Sequence, residues 1–433
     1  MAEHNSGIGR KIAYYRARKG LSQRDFAPLI KRSEAWVSQV ERGVRPVKAI
    51  DVLERIADVL DMPVAELAPS APTAQAERIP ADAVPLRLLL TGNHALRATA
   101  SEHALLATAS GAGNEPDPER LERGADAAWT FTRLGRYTEL LALLETLLPE
   151  LEAAVVHADG SRRAEILLAD TYQAYAVALT DLEQFDAAWV SADRAIAAAQ
   201  RAADPILMAA GAFRLAFVFQ RSHRLDQAKH AAGSARAVLG ELVRGAEPRA
   251  SSVYGALTLQ LALIAARAEE AEQAYELLAD ARATATTLGA DRDDHHTEFG
   301  PTAVDLHEVA AAVELGDAGT AIRLAGKIGR ERLTPGQLGR LLIDTARAWA
   351  QRRSPDRALA LLLEAEVLAP EQVYRRKSVR STTADLLSMD RGAPGLGEFA
   401  QRIGMDAALI QPATVRPGPA RSGLRAARGP RAI

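Results

Sequence analysis

The sequence predicts an all-α protein built of two unlike parts, a small helical head and a long body of helical repeats. Three observations predict it. Apolar residues recur at helical spacing with almost no period-two alternation of β-branched residues. Basic residues concentrate near the N-terminus of a chain whose formal net charge is only −2. Beyond residue 118 the chain is rich in alanine, leucine and arginine and repeats a pattern of small residues.

A chain of 433 residues is too long for one small core, so more than one domain is expected. The boundaries read as a head over 1–68, a connector with partial helix over 69–117, a repeat body over 118–410 and a basic tail over 411–433. Cysteine is absent, which excludes disulfides, thiolate zinc sites and thiol nucleophiles. No apolar run reaches membrane-spanning length, and the first residues lack the apolar core of a secretory signal. The expectation is a cytoplasmic, nucleoid-associated protein. No phosphate-binding glycine loop or nucleophile motif appears, so no cofactor and no enzymatic activity are expected.

In the head, Ile8, Ile12 and Tyr15 place a first helix over Ile8–Arg18, ended by Gly20. Ser22 reads as an N-cap with Asp25 as its capping-box partner, and a second helix runs to about Ile30. Ser33 caps a third helix that runs through Arg42 and closes at Gly43. Ile50, Leu53, Ile56, Ala57 and Leu60 mark a fourth, and a short fifth follows Pro63. Between Arg10 and Lys48 eleven basic residues face three acidic ones, the footprint of a phosphate-binding surface.

The stretch LSQRDFAPLIKRSEAWVSQVERG resembles the phage-repressor-like (XRE) helix-turn-helix family, over roughly Ile8 to Leu67. Gln23 opens the second helix, Ala27 is the small residue at the helix crossing, Val37 and Val40 are the apolar pair of the third helix, and Glu41-x-Gly43 is its ending. The resemblance implies a five-helix, lambda-repressor-like domain and a structural pair between Arg16 and Glu41. Two positions depart from the family pattern. Lys31 stands where the tight turn usually has glycine, at a cost on the order of 1 kcal/mol. Pro28 removes a hydrogen bond inside the second helix, which can cost about 3 kcal/mol.

The third helix suits a major groove. By alignment with the family its exposed positions are Glu34, Ala35, Ser38 and Gln39. Gln39 can grip adenine, Glu34 can accept from cytosine and Ala35 can meet a thymine methyl. Trp36 is expected to pack between helices. Gln23, Arg24, Arg32, Arg42, Arg45 and Lys48 are the phosphate candidates, which supply affinity and salt dependence but no sequence reading. One such module covers a half-site, so a homodimer on a near-palindromic operator in double-stranded DNA is expected.

After Leu67 the chain reads APSAPTAQAERIPADAVP, the composition of a connector. Residues Leu86 to Ala109 look helical with a break at Thr91-Gly92-Asn93, and Gly111–Glu119 is a second break. In the body, the second helix of each expected pair carries a small residue, another residue four positions later and a third three later. The copies are Ala188, Ala192, Ala195; Ala228, Ala232, Ala235; Ala274, Leu278, Ala281; Ala321, Ala325, Ile328; and Ala358, Leu362, Ala365. Leu140 opens the first copy. The turns LGRY, LEQF, SHRL and LGDA precede four of the second helices. This pattern resembles tetratricopeptide (TPR) repeats, with copies spaced more widely than that family's consensus, and implies a TPR-like α-solenoid.

A solenoid of helix pairs has a concave face lined by first helices, here the expected site of an unknown peptide, small-molecule or protein effector. Its candidates are Trp129, Tyr172, Gln173, Tyr175, Phe213, Phe217, Gln220, Tyr254, Gln260, Thr302 and His307. Head plus body resemble the peptide-pheromone-sensing regulators of Gram-positive bacteria and, through FGPTAVDLHEVAAAVELGD and LAPEQV, a set of actinobacterial regulators. Asparagines on inner helices clamp peptide in the first group, yet this chain has none after Asn114. In the second group the FGPT motif is usually followed by asparagine, and here the residue is Ala303. DRDDHHTEFG (Asp291 to Gly300) reads as a polar inter-helix loop rather than a metal site, since no ligand pair sits at i, i+4 on a helix. The tail holds Arg416, Arg421, Arg425, Arg428 and Arg431 without an acid and reads as disordered.

The function expected is sequence-specific transcription regulation, a repressor slightly ahead of an activator, with the repeats dimerising or sensing an effector. The alternative is a TPR-type interaction scaffold whose DNA binding is secondary or autoregulatory.

Overall fold

The computed structural model describes residues 2–45, 47, 50–60, 83–91, 117–156, 161–244, 247–389 and 393–405. The expected fifth helix after Pro63, Lys48, most of the connector and the arginine-rich tail lie outside them. Among the described residues every regular element is helical apart from one isolated antiparallel bridge.

The head comprises α1 (Ala2–Arg18), α2 (Gln23–Leu29), α3 (Glu34–Glu41) and α4 (Ile50–Leu60). Its core is small and closed: Ile8, Ile12, Phe26, Ile30, Trp36, Val37, Val40 and Ile56 are all buried. Gly9 allows α1 to cross α3, because a Cβ there would lie 2.2 Å from the Val40 carbonyl oxygen. The Ser22 capping box forms with both hydrogen bonds in place, and Ser33 Oγ accepts from the Trp36 amide at 3.2 Å. α2 contains Pro28, which cannot donate to the Arg24 carbonyl, and it ends at Leu29 ahead of the left-handed turn at Lys31.

A short helix, α5 (Ala83–Thr91), falls in the segment expected to be connector, yet it packs on the body. Leu86 and Leu90 join the body's first core, and Arg87 grips both carboxylate oxygens of Asp186 at 2.5 and 2.7 Å. Six antiparallel helical hairpins follow: α6 (Pro118–Arg133) with α7 (Tyr137–Val156), α8 (Ser161–Asp181) with α9 (Phe185–Arg201), α10 (Pro205–Arg221) with α11 (Leu225–Val243), α12 (Pro248–Arg267) with α13 (Ala271–Leu288), α14 (Pro301–Glu314) with α15 (Ala318–Ala325), and α16 (Pro335–Gln351) with α17 (Pro355–Leu368). First helices pack on first helices from α6 to α16, making one inner layer, and the second helices form the outer layer. This is the TPR-like solenoid the repeat pattern predicts. Ala188, Ala192, Ala195, Ala228, Ala232, Ala274, Leu278, Ala281, Ala321, Ala358, Leu362 and Ala365 are buried where hairpins meet. The caps α18 (Pro370–Arg375), α19 (Lys377–Met389) and α20 (Leu396–Arg402) close a last core around Phe399.

One backbone device makes every hairpin. The residue after the first helix's C-cap is left-handed: Gly135, Glu183, His223, Glu269, Gly316 and Arg353. The next amide then reaches back five residues to a helix carbonyl, as in Arg136 to Phe131, Gln184 to Leu179 and Ser354 to Trp349, at 2.8–3.0 Å across the six hairpins. This is the Schellman closure, which satisfies carbonyls the helix end would leave bare. The head uses it too. Lys31 is left-handed (φ 53°), and the Arg32 amide donates to the Ala27 carbonyl at 2.9 Å. The hydrogen bonds gained offset the cost of a side chain where glycine is favoured.

The superhelix also closes on itself. Arg375 donates to the Gly135 carbonyl at 3.2 Å and lies 4.2 Å from the centre of the Tyr137 ring, while Lys377 pairs with Glu183 at 3.0 Å. The C-terminal cap therefore touches the turns of the first two hairpins. Inside, Glu314 holds Arg347 and Arg267. Burial would raise its carboxyl pKa, but these two guanidinium groups hold it down to about 2.

Candidate functional site

On α3, Trp36, Val37 and Val40 face the core, Glu34 and Ala35 are exposed, and Ser38 and Gln39 are half-buried at the edge of the polar face. The four expected base-reading positions thus share one side of a helix capped at its N-terminus. Behind it, Arg16 Nε and Nη2 donate to Glu41 Oε1 and Oε2 at 2.5 and 3.0 Å, the structural pair the family resemblance implies. The Gln23 amide donates to the same carboxylate at 2.7 Å, which fixes the start of α2 to the end of α3.

The phosphate candidates divide. Arg24 and Arg42 are exposed, Arg42 donating back to the Ser38 carbonyl at 3.1 Å. Arg32 lies 5.7 Å from the centre of the Trp36 ring and is half-buried. Arg45 is engaged elsewhere: it pairs with Glu269, the left-handed residue in the turn between α12 and α13. That ion pair spans head and body.

The body's candidates fall into two groups. Tyr172 and Tyr175 sit in the packed core. The Tyr172 hydroxyl donates to Glu152 at 3.0 Å, and the Tyr175 hydroxyl donates to the Leu86 carbonyl of α5. Phe217 and Thr302 are half-buried, the Thr302 amide donating to Asp291 Oδ1 at 3.0 Å. Burial pushes the His307 pKa down to about 4, with Nδ1 2.7 Å from the Ala303 carbonyl. Gln173 is fully buried with neither amide atom partnered, Gln220 Nε2 is likewise unpartnered, and Gln260 donates to the Phe213 carbonyl at 3.3 Å with its own oxygen bare.

Trp129 belongs to a denser arrangement that the sequence did not announce. The segment 291–299, between α13 and α14, is a hairpin-like loop that lies against the inner helices. Arg292 and Phe299 exchange both backbone hydrogen bonds at 2.8 Å and close its base. Phe299 is buried on Gly255 of α12, where a Cβ would sit 2.0 Å from the ring. At the tip, the His296 ring stacks on Trp129 of α6 with centroids 4.1 Å apart. Arg133 donates to Asp293 Oδ2 at 2.8 Å and to His296 Nδ1 at 2.6 Å. Arg214 of α10 donates to the His295 and His296 carbonyls at 3.1 and 2.5 Å and lies 4.9 Å from the Trp129 ring centre. Arg249 of α12 donates to His295 Nε2 at 2.9 Å.

The electrostatics follow from burial. Desolvation lowers the Arg214 pKa to about 10, although Asp293, Glu298 and Asp170 favour its charge. Desolvation and the nearby Arg249 push His295 down to about 4, so its imidazole is neutral and can accept from that arginine. Asp170 of α8 is raised to about 6, chiefly by burial, with His296 and Arg214 opposing, and its Oδ1 has no partner. The tip holds three left-handed non-glycine residues, His295, His296 and Glu298, at φ 49°, 57° and 48°. Each costs roughly 1–2 kcal/mol. Local hydrogen bonds support them in part, the Thr297 hydroxyl donating to the Asp294 carbonyl at 2.8 Å and the Glu298 amide to Asp293 Oδ1 at 3.3 Å, and contacts to α6, α10 and α12 hold the tip against the inner helices.

Comparison with known proteins bears on the head most directly. Residues 8–69 match a family model described as a helix-turn-helix domain. No curated protein sequence matches the chain. Among solved structures, the chain is similar to the Bacillus thuringiensis PlcR in complex with the peptide PapR7 and DNA, with 16% identity, 66% of this chain and 96% of that one covered, and a TM-score of 0.33. It is also similar to the aspartyl phosphate phosphatase F of Bacillus subtilis, with 15% identity, 86% and 95% covered, and a TM-score of 0.43. No helix among the described residues is long and apolar enough to cross a membrane.

Proposed function

We propose that the protein is a sequence-specific DNA-binding transcription regulator, with the head as the DNA-binding unit and the concave face of the body as the effector site. The observation that carries this is the α2–turn–α3 unit. A left-handed turn at Lys31 sets the two helices, Ser33 caps α3, and Glu34, Ala35, Ser38 and Gln39 share its outward side. A helix presented this way fits a major groove, with Gln39 and Glu34 offering hydrogen bonds to base edges. Arg24 and Arg42 flank it with charge for the phosphates.

One head covers a half-site, so the protein acts as a homodimer on a near-palindromic operator. Repression is the simpler outcome, because occupying a promoter needs no further contact. Arg45 adds a link between the parts: while Glu269 holds it, it is not available to a phosphate. The purified protein, tested at low salt on the DNA upstream of its own coding region, is expected to prefer that DNA over random sequence. Equal retention of both overturns the reading.

A further inference from the structure

We propose that the 291–299 loop is an internal ligand: an acidic segment of the chain occupying a binding site formed by Trp129, Arg133, Arg214 and Arg249, from which an effector of the same chemistry displaces it. This deepens the effector half of the proposed function and rests on it. Its test reads peptide binding, so loss of the DNA reading leaves that test intact.

The loop does what a bound ligand does. It offers a carboxylate (Asp293) to Arg133, two main-chain carbonyls to Arg214, and a planar ring (His296) to the face of Trp129. All the receiving groups lie on inner helices, between 46 and 163 residues away in sequence. The tip's own conformation is unfavourable, with three left-handed residues that are not glycine. A strained segment persists only where its surroundings over-determine it. Its base is differently made, locked by the Arg292–Phe299 pairing and the Phe299 ring on Gly255. The loop is therefore a firmly hinged finger with a tip held by the groove.

The site has unused hydrogen-bonding capacity beneath the tip. Trp129 Nε1, Arg214 Nε and Asp170 Oδ1 are buried without partners, and all three belong to residues the tip touches or faces. Leaving such atoms bare is unfavourable. An occupant that keeps the acidic and ring contacts and also reaches these atoms binds better than the loop. The class of effector this defines is a short acidic peptide bearing a planar side chain. The partners here are arginines and an indole, not the asparagine amides that the chain lacks after Asn114.

The test uses the full chain with residues 292–298 replaced by a glycine–serine segment of equal length, and a synthetic nonapeptide, DRDDHHTEF, as probe. A tethered loop needs only an effective concentration on the order of millimolar. The replaced chain should therefore bind the peptide with a dissociation constant of about 1 mM or tighter. A scrambled peptide, or an added Arg214→Gln change, should weaken binding at least about tenfold, and the unaltered chain should bind at least about tenfold more weakly. Equal binding to replaced and unaltered chains, or none to a replaced chain that keeps its helical circular dichroism, overturns the proposal. Should the replaced chain not fold, hydrogen exchange in the otherwise intact protein decides. Arg133→Gln should speed exchange at amides 293–298 severalfold and leave Phe299 unchanged, and no change at the tip overturns the proposal.

Discussion

Head and body handle polar groups in opposite ways. In the head, a core of a dozen or so side chains faces inward and the base-reading candidates lie at or near the surface of α3, with Glu34 and Ala35 exposed. In the body, several polar groups of the inner helices turn inward and are met by the chain itself, Arg214 by the loop carbonyls and Arg347 by Glu314, while others such as Gln173 stay buried without a partner. The head thus presents polar groups outward, whereas the body pairs many of its charged groups with other parts of the same chain. The left-handed residues tell the same story. At Lys31 and the hairpin turns each is supported by its own Schellman bond, while the 293–298 tip combines a few local bonds with contacts to helices far away in sequence.

Substitutions at six residues test this contrast. The largest effect is expected at Glu314. Glu314→Gln leaves two guanidinium groups without their shared counter-charge and should cost about 3–5 kcal/mol near neutral pH in urea unfolding. Because the folded pKa (about 2) lies below the ordinary carboxyl value of 4.5, the wild-type advantage is fully present above 4.5 and is lost as pH falls through 2. A substitution penalty that does not shrink on acidification contradicts the network.

Next is Asp170, whose sign is opposite. Its folded pKa is raised from 3.8 to about 6, so its contribution is most favourable below 3.8 and is lost as pH rises through 6. Asp170→Asn should therefore stabilise the body by up to about 3 kcal/mol above pH 7 and change little below pH 4, as read from melting temperature against pH. An Asn variant less stable than wild type at pH 8 would mean the carboxylate is needed by Arg214.

In the head, Gln39→Ala should relax preference at one operator base pair and cost about 1–3 kcal/mol there, while Arg42→Ala should weaken all sequences alike. Equal, sequence-independent losses from both contradict the assignment of α3. Arg353→Gly relieves a left-handed arginine in an exposed turn and should stabilise by about 1 kcal/mol, visible as a rise in the urea midpoint. Last, Glu269→Ala frees Arg45. A partly exposed ion pair is worth at most about 1 kcal/mol, so DNA affinity should rise by no more than about fivefold, and more at low salt than at high.

Much of this molecule was legible in its sequence where neighbours along the chain decide the outcome. Ser22 and Ser33 announce their caps, Lys31 announces a strained turn from its place between two helices, and the small-residue pattern announces the hairpins. Long-range features were not legible. Nothing local marks Gly9 or Gly255 as points of close approach, since glycine in a helix looks merely unfavourable. LEQF and SHRL mark the turns at Glu183 and His223, but nothing in those residues or in Glu269 and Arg353 marks a left-handed backbone. Each nonetheless occupies the position that glycine fills at Gly135 and Gly316. The 291–299 loop read as a polar connection because its partners come together only when four hairpins have curved round. Tyr172 and Tyr175 look like groove residues by periodicity, yet Glu152 of α7 and the Leu86 carbonyl of α5 take their hydroxyls, a packing that periodicity does not reveal.

The clasp between the C-terminal cap and the first hairpins gives this repeat array an unusual mechanical property. An open solenoid has two free ends and frays from either, each repeat leaning only on its neighbours. Here Arg375 and Lys377 join last to first, so neither end can peel away without breaking contacts at the other. Amides in α6 and α19 should exchange hydrogen together rather than as separate fringes. A disturbance that opens one hairpin has two routes round the ring to reach any other.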